Sequence, residues 1–178
     1  MAESSTAQKI SFFFEVLKRY DQYINVANAK ANLLFAFIGV VIFGVVLRLS
    51  TLSMPGWACL TGLFVVTSVL TILACLWVAW VLVGVVLPDL STDIDNRSLI
   101  FFNDVAKNSS FHDYERLVKE ADADQLLKDL SSQVYYVAGV ARGKFLKVAS
   151  ASNIVKRCVL PLLLALVVLF IVGGVVNV

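Results

Sequence analysis

Lys144 and Lys147 stand one helical turn apart in a stretch of regular apolar spacing, and at 100° per residue Gln133 and Tyr136 fall toward the same side. Arg97 and Asn103 precede them in the chain. Cationic donors beside an aromatic platform are what a phosphate joined to a flat base requires, because an ammonium or guanidinium bonds phosphate oxygens while a ring face stacks on the base. Basic residues just outside an apolar segment serve a second chemistry equally well, attachment to anionic lipid. The residues leave both readings open.

Other chemistry is poorly represented. The sole histidine, His112, has no metal-ligand partner at useful spacing. The chain contains no Gly-rich phosphate loop, no nucleophile elbow and no kinase or zinc signature. Asp93 and Asp95 could together hold a cation, but an i, i+2 acid pair near a helix end is usually a cap or solvated. Cys59, Cys75 and Cys158 lie in or at apolar runs without a C-x-x-C neighbour, as small apolar fillers do. The expectation is a protein without enzymatic activity, metal or cofactor. A net charge of +2 and unclustered basic residues point away from nucleic acid.

The elements that must position these residues are set by hydropathy. Apolar residues make up 59% of the chain and charged residues 16%, far from the balance of an ordinary soluble domain. Ten of the fifteen Lys and Arg and ten of the thirteen Asp and Glu fall within Pro88–Arg157. The fold expected is all-α: an integral membrane protein with three transmembrane helices and a helical cytoplasmic block between the second and third. Residues 1–178 read as a single domain. Gln8–Asn32 is amphipathic, suited either to the membrane surface or to packing on other helices, and no Gly or Pro separates it from Leu33–Leu49. That first apolar run is about 25 Å long as a helix, enough to cross a bilayer. Asp21, Asn25, Asn28 and Asn32 form a polar stripe that must face protein, water or a ligand. The second span runs over 57–80, with Trp57 at one interface and Trp77 and Trp80 at the other, and its helix extends to Leu87. The extension Val81–Leu87 either protrudes and needs an apolar cover from the Pro88–Arg157 block or is taken up by a strong tilt of the span. The third span is Cys158–Val178.

Within the block, Ser110 is placed to cap a short amphipathic helix with Asp113 at its third position. Asp122 or Asp124 begins another helix, whose apolar spacing continues with no convincing stop before Cys158, so one long helix into the membrane is expected, bent at Pro161. With Met1 and the block on one side of the membrane, fourteen of the fifteen basic residues share that side and only Arg48 is opposite. The positive-inside rule makes it the cytoplasm and directs the C-terminal end outward.

Four stretches carry a family resemblance. Asn28-Ala29-Lys30-Ala31, IFFNDVA at Ile100–Ala106, the helix around Tyr114, and DLSSQVYYVAGVARGKFLKVASA at Asp129–Ala151 together resemble the Pycsar transmembrane effectors of bacterial anti-phage defence. Lys30 and Lys144 match positions where that family tends to carry Lys; the position of Asn28 is often acidic there and that of Asn103 often Gly. The resemblance implies a partner cyclase that makes a cyclic pyrimidine mononucleotide, cCMP or cUMP, and an effector that answers it by impairing the inner membrane, so that growth stops or the cell dies. It also adds Lys30 to Arg97, Asn103, Tyr136, Lys144 and Lys147 as expected ligand contacts. The partners implied are the lipid bilayer, the cyclase-made nucleotide and further copies of the chain. A membrane-anchored accessory subunit and a small constitutive channel are the competing readings.

Overall fold

Helical spacing runs unbroken from the N-terminal polar residues through the first apolar run, and the chain forms a single helix over it. In the computed structural model, which describes residues 2–51, 58–87 and 98–176, this is α1, Ala2–Ser50. The helix begins at Ala2, ahead of the first periodic apolar residue. It is followed by α2 (Ala58–Val86), α3 (Phe102–Ala106), α4 (Phe111–Glu120), α5 (Ala123–Ile154), one π-helical turn (Val155–Val159) and α6 (Leu160–Val176). No strand occurs among the described residues.

Three helical stretches are long and apolar enough to cross a membrane: Thr6–Ser50, Cys59–Val86 and Ala123–Gly173. Only 11% to 28% of their most apolar windows is buried inside the protein. Val40, Phe43, Leu73, Trp77, Trp80 and Leu164 all face outward. Apolar surface on that scale is stable only against lipid.

The chain divides into two compact units, one made of Met1–Val26 with Pro88–Gly143 and the other of Ala27–Leu87 with Lys144–Val178. Both α1 and α5 contribute residues to each unit. In the second unit, α2 packs along α6 and the π-turn. Its buried positions recur every three or four residues: Phe64, Thr67, Ser68, Thr71, Cys75, Val78, Leu82 and Val85. Thr67 and Thr71 return their hydroxyls to the carbonyls of Leu63 and Thr67, each at 2.8 Å, which satisfies them inside the helix. The apolar end of α2 finds its cover here, since Leu82 and Val85 are fully buried in one cluster with Ala31 of α1 and Val148 and Ala151 of α5.

The long final helix does not run straight through in α geometry. The Leu160 N–H bonds the Val155 carbonyl, five residues back, and the π-turn lies immediately ahead of Pro161. Proline has no N–H to give, and its ring crowds the carbonyl four residues earlier, so the ladder widens just before it.

The first unit is built on local caps. Ser110 Oγ accepts from the Asp113 N–H at 3.2 Å, starting α4 as expected. Asp122 and Gln125 cap α5 reciprocally, Asp122 Oδ1 accepting from the Gln125 N–H at 2.7 Å and Gln125 Oε1 from the Asp122 N–H at 3.3 Å.

Candidate functional site

The C-terminal end of α2 is where the second unit gathers its cations. An α-helix leaves its last four carbonyls without intrahelical partners, and the helix dipole makes that end negative. Lys147 Nζ donates to the Gly84 carbonyl at 2.8 Å. Lys144 Nζ donates to the Val85 carbonyl and, at 3.1 Å, to Asn28 Oδ1 of α1. The two lysines, one turn apart on α5, thus close the open end of α2 and tie it to α1. The Lys30 ammonium lies 5.8 Å from the centroid of the Phe145 ring, within cation–π range. Lys144 is half-buried, while Lys30 and Lys147 are exposed.

The charge balance around this cluster is one-sided. The second unit contains Lys30, Arg48, Lys144, Lys147, Lys156 and Arg157 and no Asp or Glu. The ammoniums therefore rest on neutral oxygens and an aromatic face. An anionic oxygen would add a charge–charge attraction that these neutral oxygens lack.

Of the residues singled out from the sequence, the structure brings Lys30, Lys144 and Lys147 into this unit, together with Asn28 from the polar stripe. The other stripe residues, Asp21, Asn25 and Asn32, are exposed. Asn103 sits half-buried on α3, and Tyr136 is half-buried on α5 within the first unit. Arg97 lies outside the described residues.

A family model, the Pycsar effector protein domain, matches residues 12–173. The chain belongs to that family. It is accordingly a membrane protein of anti-phage defence, an effector that acts on a signal made by a partner cyclase. No curated protein and no solved structure matches the chain.

This Pycsar effector also has a polar knot in its first unit that the sequence did not announce. Ser98 Oγ accepts from the N–H groups of Ile100 and Phe101 at 3.1 and 2.9 Å and from Gln133 Nε2 at 3.1 Å. Asp129 accepts from the Leu99 N–H at 2.9 Å, Asp104 from the Ser98 N–H at 3.3 Å, and the Tyr114 hydroxyl donates to the Leu99 carbonyl at 3.0 Å. Ser98, Asp104 and Gln133 are all buried, so these bonds offset the cost of removing polar groups from water. In the sequence, Ser98–Ala106 shows only an apolar run with one polar notch at Asn103-Asp104.

Beside the knot, Ile10, Leu99, Ile100, Tyr114, Val118 and Leu126 line a cavity of about 250 Å³. Its one charged lining residue is the carboxylate of Asp122. An apolar wall with an acid is unfavourable to a phosphate.

Proposed function

We propose that this Pycsar effector responds to a cyclic pyrimidine mononucleotide, cCMP or cUMP, by impairing the inner membrane without a catalytic step, leading to growth arrest or cell death. The observation that carries the reading is the hold of Lys144 and Lys147 on the last carbonyls of α2 in a unit with no acidic side chain to compete. The nucleotide phosphate takes Lys144 and Lys147 from those carbonyls, with Lys30 adding a third positive charge. The end of α2 is then uncapped, and its packing on α6 and the π-turn is free to change. A ligand moves such an equilibrium only by its differential affinity for the two arrangements, and the difference here is whether the lysines bind carbonyls or phosphate.

On this reading the N-terminus and the Pro88–Arg157 block face the cytoplasm, the C-terminal end faces outward, and several copies act together. The charge distribution supports that orientation, since it puts fourteen of fifteen basic residues inside. The test is dye release from proteoliposomes of the purified protein, with cCMP, cUMP and a cyclic purine nucleotide compared. Release with one or both pyrimidine nucleotides is expected, and Lys144→Met, which removes part of the α2 cap, should bind the nucleotide more weakly and leak more dye in its absence. No release with either pyrimidine nucleotide, in a correctly oriented preparation, refutes direct gating.

A further inference from the structure

Arg48 belongs to the second, membrane-spanning unit, here called the membrane unit, and takes no part in the lysine cluster. It lies two residues from the end of α1, and its guanidinium stands 4.7 Å from the centroid of the Phe170 ring of α6. The ring accounts for one face of the guanidinium. The Nε atom is buried and has no hydrogen-bond acceptor among the described residues. Ser68 of α2 is fully buried in the same groove, and its hydroxyl also has no partner there. Thr67 and Thr71, its neighbours on the helix, return their hydroxyls to the backbone; Ser68 does not. Two unpartnered polar groups at one place are costly in an apolar surrounding and mark a missing acceptor.

The groove they share has a volume of about 170 Å³ and is otherwise apolar, with Gly44, Phe64 and Leu166 on its walls. An anion for Arg48 cannot come from a side chain of this unit, because no Asp or Glu occurs in Ala27–Leu87 or Lys144–Val178. A second copy brings the same acid-free segments. The counter-charge at hand at the end of a membrane-spanning helix is that of lipid headgroups.

We propose that this groove is a phospholipid site, with the phosphate on Arg48, an ester carbonyl of the same lipid as acceptor for the Ser68 hydroxyl, and part of the acyl chain along the apolar walls. The guanidinium matches a phosphate in both charge and fork geometry, and the groove takes a chain that water would not stabilise. This assignment is independent of the nucleotide reading, since it uses none of Lys30, Lys144 or Lys147.

Native mass spectrometry of the full chain in detergent tests it, with phosphatidylglycerol, the diacylglycerol of the same chains, and inorganic phosphate as probes. The wild type should retain one phosphatidylglycerol, and Arg48→Gln should weaken its retention about tenfold, the loss expected for one charge-assisted contact. Val167→Trp, a change at an outward-facing groove residue, should weaken it as well while circular dichroism and gel filtration stay those of the wild type. Diacylglycerol should bind weakly and equally to wild type and Arg48→Gln. Equal retention of phosphatidylglycerol by wild type and Arg48→Gln would overturn the site. Displacement by inorganic phosphate with no effect of Val167→Trp would overturn the lipid as its occupant.

Discussion

Removing the Lys144 ammonium should destabilise the membrane unit, and the loss should depend on Asn28. Lys144→Met keeps the apolar stem and deletes both donors, leaving the Val85 carbonyl and Asn28 Oδ1 without them. A hydrogen bond from a charged donor contributes about 1.5–3 kcal/mol in water-soluble proteins, whereas polar contacts between membrane helices average about 0.6 kcal/mol. Lys144 is half-buried at a helix end, between those settings, so Lys144→Met should cost roughly 1–3 kcal/mol. Asn28→Ala removes only one of the two acceptors and should cost less. In the double variant the costs should fail to add by at least about 0.5 kcal/mol, because the Asn28 bond is lost only once. Denaturant unfolding followed by circular dichroism in micelles measures all four corners of the cycle. Costs that add within about 0.3 kcal/mol, or a larger effect of Asn28→Ala than of Lys144→Met, would refute the tie between α1 and the end of α2.

Two further predictions concern other parts of the chain. Ser98→Ala leaves the Ile100 and Phe101 N–H groups and Gln133 Nε2 without their acceptor, and should cost at least about 1–3 kcal/mol, read as faster amide exchange at Ile100 and Phe101. Unchanged exchange there would show that the hydroxyl does not hold this loop. For orientation, a reporter active only outside the cytoplasm should work when fused after Val178 and fail when inserted within Asn108–Ser110; the opposite pattern would invert the charge-based topology.

The helical class and the three spans were legible because they rest on composition and on long apolar runs. The Ser110 cap was legible too, since the capping hydroxyl and Asp113 are three residues apart. The tie between Asn28 and Lys144 was only half legible. Each residue stood out in its own stretch, one in a polar stripe and the other in a lysine pair, but they are separated by 116 positions and no periodicity connects them. The backbone carbonyls of Gly84 and Val85 leave no trace in residue type, so the lysines read as ligand contacts or lipid anchors and not as a cap. The Ser98 knot was hidden for the same reason, since Gln133 lies 35 positions away from the hydroxyl it bonds.

The π-turn has a consequence for the third span. A π-turn accommodates one more residue than the α ladder around it, and one residue is about 100° of helical rotation. Val155–Val159 therefore acts as a phase step between α5 and α6. The residues of α6, Leu160–Val176, are apolar on every side, so hydropathy gives that helix no preferred face. What turns Leu166 inward and Leu164 outward is the step. Losing one residue from it would rotate the rest of the span and present a different, equally apolar face to α2. The rotational setting of this helix is held by a backbone hydrogen-bond pattern and the proline that follows it.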